Sequence, residues 1–401
     1  MVPRHAMEGN VKQALSCDIL ICGAGLAGLS LAYRGIESGK WRNEKIVIVD
    51  PSIKVENDKT WSFWKKEKGP FDDLIFKSWT NLSVFSNAGE KINLETGSYT
   101  YNSIRSVDFY HHTRTYLKAQ HNVTFIHEAV QRLHTNPNGC LAETEHYGIK
   151  AKYAFNSIYE KPKLKPSTQY FLQHFKGVII KCPEIQMAEH EAFLMDYRTD
   201  QTNGTTFLYT LPLGNNELFV EYTLFSKELL KQSAYDDAIE EYLKSILKLK
   251  KYEILHTEYG VIPMTDHDFD RFDGHIVNIG TMGGDTRGAT GYTFANVQKT
   301  ITNILAAWSG SGNLRPWKEN VSAKHKLYDA IMLNVLNDGD YAGHKLFRDL
   351  FKNAKAHYIF KFLDAETGIT EDLRIITSLK PMPFLKALSK VMRSKVSNLK
   401  H

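Results

Sequence analysis

The sequence predicts an α/β fold: a first lobe of parallel strands and helices, an inserted antiparallel β-sheet lobe, and a helical C-terminal region. Three observations carry this expectation. Residues 17–50 run strand, glycine turn, helix, strand. Residues 175–225 read as strands separated by turn signals. From 320 onward the apolar residues recur with helical spacing.

The first observation is the strongest. Cys17–Cys22 is a short apolar run bounded by glycine, as a buried strand would be. Gly23, Gly25 and Gly28 follow with G-x-G-x-x-G spacing, with Ala24, Leu26 and Ala27 between them, and Leu26–Ser38 reads as a helix. Ile46–Val49 is a second strand and ends on Asp50. The first glycine allows a tight turn, the second lets backbone approach a pyrophosphate, and the third lets helix and strand pack closely. The helix N-terminus offers free N–H groups to phosphates. Asp50 lies about 20 residues beyond the loop, where an acid accepts a ribose hydroxyl. This is a Rossmann-like dinucleotide site, and the motif leaves open whether FAD or NAD fills it.

Composition bounds the rest. The 401 residues are 42% hydrophobic and 24% charged, which fits a globular chain of two or three lobes rather than a disordered one. No apolar run approaches the ~20 residues of a spanning helix. Residues 1–16 lack the apolar core of a secretion signal and read as a flexible extension. Cys17, Cys22, Cys140 and Cys182 show no metal-ligand spacing, so no metal site is expected, and reduced thiols in a cytoplasmic protein are the simplest account. The net charge is only +5, but the six Lys and Arg residues from Lys380 onward face no acidic residue. That asymmetry points to an anionic surface, lipid or nucleic acid.

In chain order, residues 17–160 form the first part of the nucleotide lobe. Trp61, Phe63 and Trp64 put dense aromatics in a loop or short strand, either a cavity floor or ordinary core. A helix is expected over 107–120. His111 and His112 are adjacent on it, face different sides and read as structural or solvated. A proline-punctuated linker at 161–168 opens a sheet lobe, 161–257, with strands over 192–197, 206–213 and 217–225. An amphipathic helix over 235–249 presents Ile239, Tyr242, Leu243 and Ile246. Residues 258–310 return to the nucleotide lobe. There a strand at 276–279, a glycine-rich loop from Gly280 to Phe294 and a helix over 295–308 suggest a second backbone approach to the cofactor, a feature more of FAD enzymes. Residues 311–401 are helical. Two basic amphipathic stretches, 344–363 and 384–399, either lie in a membrane interface or pack on the protein itself.

The sharpest chemical feature is Phe219-Val220-Glu221-Tyr222-Thr223. Side chains alternate along a strand, so Phe219, Glu221, Thr223 and Phe225 share one face, and Leu218, Val220, Tyr222 and Leu224 the other. Both faces are largely apolar. A carboxyl buried there has a raised pKa and can serve as a general acid. The plainer alternative is a glutamate at a sheet rim, or one paired to a basic residue.

Several segments together resemble the flavin-dependent lycopene β-cyclases, in their bacterial type. NDKTWSFW at 57–64 is similar to that family's H-T-W-S-F segment, and YNSIRSVDF at 101–109 to its Y-x-S-I-x-S-x-x-F segment. FVEYT at 219–223 resembles F-L-E-E-T, YGVIP at 259–263 resembles E-x-G-V-[IL]-P, and Thr290-Gly291-Tyr292 matches T-T-G-Y. These segments are collinear over roughly 17–300. The chain departs where the second glutamate of F-L-E-E-T is Tyr222, and where Thr281 follows Gly280 with the acid, Asp285, further on.

The resemblance implies a Rossmann-like FAD-binding lobe and a non-redox reaction requiring reduced FAD, with NAD(P)H as the electron source. The acyclic ends of lycopene would close to β-ionone rings, giving β-carotene via γ-carotene. It implies Glu221 as the catalytic acid. Trp61, Phe63, Trp64, Phe219 and Thr223 would line a cation-stabilising pocket, and Gly280, Thr290, Gly291 and Tyr292 would lie on the cofactor. A C40 hydrocarbon resides in the bilayer, which would make the C-terminal helices a peripheral membrane dock and excludes nucleic acid as the partner. The alternative is an FAD-dependent reductase or hydroxylase of a hydrophobic isoprenoid.

Overall fold

The computed structural model describes residues 12–308, 314, 317 and 319–398. Strand β1 (Gln13–Cys22), helix α1 (Leu26–Glu37) and strand β2 (Ile46–Val49) realise the predicted opening. Residues 1–11 of the expected N-terminal extension lie outside the described residues. Gln13–Ser16 are not an extension: they begin β1 and pair in parallel with Tyr147–Lys150. Next come β3 (Thr60–Lys65), β4 (Lys77–Trp79), β5 (Asn81–Phe85), β6 (Lys91–Asn93) and β7 (Thr100–Arg105). Helix α2 (Ser106–Lys118) and strands β8 (Val123–Ile126), β9 (Arg132–Asn136), β10 (Gly139–Glu143) and β11 (Tyr147–Asn156) complete the first part. The following strands are β12 (Tyr170–Lys181), β13 (Glu191–Asp196), β14 (Thr205–Gly214) and β15 (Glu217–Ser226). Helix α3 (Gln232–Glu241) runs into a π-helical turn at Tyr242–Ile246 and precedes β16 (Glu253–Thr265). Strands β17 (Phe272–Asp273) and β18 (Ile276–Asn278) lead to α4 (Phe294–Ala307). The C-terminal helices are α5 (Ala323–Asp338), α6 (Gly343–Asn353), α7 (Ala356–Leu363), α8 (Ile369–Thr377) and α9 (Pro381–Asn398).

The first sheet runs β17-β18-β11-β1-β2-β8, with β9 and β10 attached through β11. Its core strands β18, β11, β1, β2 and β8 are parallel. Buried Ile, Val and Leu fill both faces, one against α1, α2 and α4, the other against β9 and β10. The second sheet, β16-β12-β15-β14-β13-β5-β6, is antiparallel except where β13 meets β5. Its last strand carries the chain on to Thr265, past the expected lobe boundary at 257, and β5 and β6 reach it from the first part. One face is covered by α3 and the π-helical turn through Tyr235, Ile239, Tyr242 and Leu243, most of the stripe read from sequence. The other face meets the three-stranded sheet β3-β7-β4 and the C-terminal helices.

The two basic amphipathic stretches behave differently. The first is not one helix: extended backbone at Ala354 separates α6 from α7, and Leu346, Phe347, Leu350 and Phe351 are buried in the protein's own core. Self-packing is therefore the outcome for that stretch. On α9, Lys386 pairs with Asp338 and Asp340, and Lys390 with Asp338 at 2.6 Å, tying the helix to the end of α5. Leu399 lies outside the described residues. Cys22, Cys140 and Cys182 are buried, Cys17 partly so, and all four thiols are free. His111 and His112 are both exposed. Among the described residues no helix is long and apolar enough to cross a membrane.

Candidate active site

Strand β15 lies between β12 and β14, so Glu221 is in the middle of a sheet, not at its rim. Leu218 to Phe225 are all buried, and Glu221 is only 8% exposed. The alternation holds: Phe219 and Phe225 join the core facing the C-terminal helices, while Leu218, Val220, Tyr222 and Leu224 face α3. No basic residue forms an ion pair with Glu221 among the described residues. Its hydrogen bond comes from the Thr223 hydroxyl at 2.8 Å.

The register reveals a second carboxylate. Reading across the sheet, Glu258 on β16 pairs with Gly177 on β12, which pairs with Glu221 on β15, which pairs with Tyr209 on β14. Directly opposed residues point to the same face. The two glutamates therefore look at each other across a residue with no side chain. A Cβ on Gly177 would stand 2.8 Å from the Phe219 ring and 3.2 Å from Glu258 Cγ, so the gap is reserved for these groups. Glu258 Oε2 accepts the Thr60 hydroxyl at 2.6 Å, and its Oε1 is buried without a partner among the described residues.

Two like charges in a dry site cannot both ionise cheaply. Burial, then the Glu258 charge, push the Glu221 carboxyl up to about 8. Burial likewise pushes Glu258 up to about 7, against the opposing pull of the Thr60 hydroxyl and Lys59. Lys59 itself donates to the Tyr259 carbonyl at 3.0 Å. The site thus holds a carboxyl proton near neutral pH with no neutralising cation in contact.

The aromatic cluster read from sequence divides. On β3, Thr60, Ser62 and Trp64 point toward the second sheet, and Trp61 and Phe63 point away from it. Phe63 stacks on Phe294 at the start of α4, with centroids 4.2 Å apart, and Trp61 packs edge-on against Phe109 and Tyr110. Both belong to the core of the nucleotide lobe. Only Trp64 reaches the pocket side, where it meets Tyr292 edge-on and stacks on Phe360. The expectation of one aromatic floor built from all three fails because consecutive strand residues face opposite ways.

Trp64, Tyr209 and Tyr292 wall one end of an apolar cavity of about 290 Å³, which continues between the second sheet and α5 to α9 past Phe347, Leu379 and Phe384. Glu221 does not line it directly; its strand neighbour Tyr209 does. The Tyr209 and Tyr292 hydroxyls are 3.4 Å apart, and buried Tyr101 lies beside them. Thr290 also lines the cavity, and the Tyr292 side chain is part of its wall rather than of a phosphate cradle. Gly291 adopts φ +71°, and a Cβ there would meet Gln173 Oε1 at 2.2 Å, so this loop position needs glycine.

The nucleotide loop fits a dinucleotide. Gly28 is in the contact the motif requires: a Cβ would strike the Gly23 carbonyl at 2.0 Å. Around Gly25 the space is open, α1 carries no side-chain cap and no acid in its first turn, and its N–H groups face that space. Asp50 accepts the Ala24 N–H at 2.7 Å and the Ser52 N–H at 2.8 Å, which orients the carboxylate at the strand end. Beside it, buried Arg114 lies over the Phe125 ring at 4.9 Å and leaves Nη1 buried without a partner among the described residues. An orphaned guanidinium N–H near Asp50 suits a phosphate or ribose oxygen. Gly280 packs against Ala27, so the late loop does abut the first helix. Asp285 is not free for a cofactor: it accepts the Gly280 N–H at 2.7 Å, Arg271 at 2.8 Å and Thr300 at 2.6 Å.

Glu258 and Arg114 were not singled out from the sequence. Glu258 sits in a strand whose neighbours Ile254 and Leu255 are exposed, so periodicity pointed the wrong way. The available signal was its position immediately before YGVIP, the segment that resembles E-x-G-V-[IL]-P.

A parallel sheet behind a glycine-rich dinucleotide loop, joined to an antiparallel sheet, is an architecture this chain shares with solved flavoproteins. The chain is similar in fold to a flavoprotein/dehydrogenase from Cytophaga hutchinsonii, with a TM-score of 0.60 at 12% identity, covering 95% of this chain and 99% of that one. It is similar also to a geranylgeranyl bacteriochlorophyll reductase-like protein from Thermoplasma acidophilum, with a TM-score of 0.56 at 13% identity, covering 97% and 99%. Residues 18–389 match the family model described as lycopene cyclase protein, and the chain belongs to the lycopene cyclase family. Among curated relatives, the chloroplastic lycopene beta cyclase of Nicotiana tabacum is 22% identical, covering 90% of this chain and 76% of that protein. The chloroplastic/chromoplastic enzyme of Narcissus pseudonarcissus is 23% identical, covering 90% and 76%. These relatives are plant enzymes, so the family stands but the narrower bacterial type does not rest on them. Ring closure conserves atoms, so a cyclase is an isomerase, and this chain is an enzyme of that class.

Proposed function

We propose that the protein is a lycopene β-cyclase that uses reduced FAD to close the acyclic ends of lycopene to β-ionone rings, forming β-carotene via γ-carotene. One observation supports this above the others: a buried carboxyl pair, Glu221 and Glu258, that retains a proton without a counter-cation beside an aromatic, apolar cavity. Glu221 delivers a proton to the terminal double bond of the polyene. The neighbouring double bond attacks the resulting cation, a six-membered ring forms, and loss of a proton restores the double bond. Composition is unchanged. Trp64, Tyr209 and Tyr292 stabilise the cation through their ring faces, a contact worth roughly 0.5–2 kcal/mol per ring. Phe219 and Thr223 frame Glu221, and the apolar walls exclude water that would quench the cation. Tyr209 and Tyr292 stand between the cavity and Glu221, so the reacting end displaces one of these side chains to reach it.

The glycine loop at Gly23 to Gly28, Asp50, Arg114 and the backbone of Gly280 to Gly291 would hold the dinucleotide. When bound in its reduced form, FAD supplies negative charge near a cationic site. NAD(P)H is the electron source in this reading, and the protein is cytoplasmic and peripherally bound to membrane.

The test is an anaerobic assay of lycopene in liposomes with chemically reduced FAD. In ordinary water the product is an isomer of lycopene; in deuterated water it carries one solvent deuterium per ring. A product heavier by two hydrogens, or by oxygen, would establish the alternative of a reductase or hydroxylase.

A further inference from the structure

The apolar cavity reaches the surface at one corner. Of the side chains that line it, only Ile376, Pro381 and Leu385 are exposed, and all three lie where α8 turns into α9. The same corner carries an unusual share of exposed apolar residues. Six of the thirteen large hydrophobic side chains exposed among the described residues are here: Ile369, Leu373, Ile376, Met382, Leu385 and Met392. Ile369, Leu373 and Ile376 form an i, i+4, i+7 stripe on α8, turned outward while Asp372 and Ile375 are buried. Met382 is 71% exposed and Ile369 74%, values that water alone does not favour for aliphatic groups.

The charge around the corner selects the occupant. No acidic residue follows Asp372 in the chain. Arg374, Lys380 and Arg393 are exposed around the apolar stripe. Lys386 and Lys390, the other basic residues of α9 up to Ser394, are occupied by Asp338 and Asp340 and hold the helix in place. Aliphatic side chains ringed by cations match a bilayer: hydrocarbon below, phosphate headgroups around. A protein partner would gain nothing from a cavity opening through the contact, whereas an apolar substrate dissolved in the acyl layer would gain a route that never crosses water.

We propose that the α8–α9 corner is a bilayer-docking face, and that one end of the polyene passes from the acyl layer directly into the cavity between Ile376, Pro381 and Leu385. The docking surface is the apolar corner itself rather than the basic stripe of α9. The route rests on the cyclase reading; docking does not, because it is measured without substrate. The experiment is co-sedimentation of the full chain with phosphatidylcholine vesicles and with vesicles containing phosphatidylglycerol, at low and high salt. It compares wild type, Leu373→Asp/Met382→Asp, the milder Met382→Ser, and Leu255→Asp as an exposed apolar control elsewhere. Neither Leu373 nor Met382 lines the cavity.

The expected result is binding to both vesicles that survives high salt. It should weaken tenfold or more in the double variant, weaken less in Met382→Ser, and stay unchanged in Leu255→Asp. Turnover of vesicle-borne polyene should fall in step, while turnover from detergent micelles is retained. Three results would overturn the proposal: no binding of wild type to phosphatidylcholine, unchanged binding in the double variant, or a wild-type dimer without lipid that the double variant dissolves. Equal losses of micellar and vesicular turnover would overturn the route while leaving the docking result to stand or fall separately.

Discussion

The two halves of the molecule bury carboxylates in opposite ways. In the nucleotide lobe, Asp285 is fully engaged: Arg271, Thr300 and the Gly280 N–H all donate to it, and Glu319 completes the Arg271 pairing. Arg287 and Asp329 form a second buried ion pair that ties the late loop to α5. In the cleft between the second and third sheets, Glu221 and Glu258 have hydroxyl donors and each other, but no cation in contact. The difference separates structural charge from reactive charge. Burial raises both the Asp285 and the Glu221 carboxyl, but at Asp285 the Arg271 guanidinium, the Thr300 hydroxyl and the Gly280 N–H pull against it, whereas at Glu221 the neighbouring Glu258 charge adds to it.

One substitution made in both places should show this. Glu221→Gln replaces a carboxyl that is already neutral in the folded protein near pH 7, so flavin binding should be retained and the melting temperature at pH 7 should not fall below that of wild type. Ring closure should fall by roughly 10²–10⁴-fold, the range for losing a general acid. Near wild-type turnover would remove Glu221 from the mechanism. Asp285→Asn should do the reverse. It strips Arg271 of its buried partner at a cost of about 3–5 kcal/mol, read as a lower midpoint in denaturant with release of flavin. If the two variants gave the same phenotype, the division between the halves would fail.

The halves also differ in how far the sequence could reveal them. The glycine turn and Asp50 lie in one stretch of chain, and each acts through backbone geometry set by its neighbours. A linear motif records that part of the site, while Arg114 and Gly280, which approach it from distant segments, leave no mark in it. The cleft is assembled from Thr60, Gly177, Tyr209, Glu221, Glu258 and Tyr292, which come from five strands and a loop. Glu221 was legible because its own strand is apolar on both faces. Glu258 was not, since what joins it to Glu221 is the pairing of both strands to Gly177, a fact of register rather than of local pattern. Trp61, Phe63 and Trp64 show the converse error: proximity in sequence suggested one floor, and strand alternation sent them to different cores. The break between α6 and α7 was invisible for a related reason, because the apolar spacing continues through the extended backbone at Ala354.

That split on β3 is the next comparison. Trp64→Leu should keep the fold and flavin but lower the rate of ring closure by about 2–30-fold, the kinetic equivalent of one cation–π contact. Phe63→Leu, one residue away, should leave that rate nearly unchanged. It should instead cost about 1 kcal/mol of stability through its stack on Phe294. Equal kinetic losses at both positions would mean that the reacting end lies on the nucleotide-lobe side of β3.

The smallest expected effect is also the most specific to the carboxyl pair. Glu221 must be protonated to act, and its pKa is held at about 8. The rate of ring closure should therefore be flat at lower pH and decline as pH rises through that region. Glu258→Gln removes the neighbouring negative charge while keeping the shape. It should lower the Glu221 pKa and move the declining limb to lower pH, with a rate at low pH within about tenfold of wild type. Stability must follow the same group with a definite sign. A carboxyl raised from 4.5 binds its proton more tightly in the folded state. Its contribution is complete below pH 4.5 and is lost as pH rises through about 8. Wild type and Glu221→Gln should thus keep a constant melting difference below pH 4.5, and wild type should fall behind progressively from there to about pH 8, with no further loss above it. Kinetic and thermal limbs that moved together in Glu258→Gln would show one shared proton behind both. A kinetic limb that shifted while the thermal one stayed would place the titrating group on bound cofactor or substrate instead.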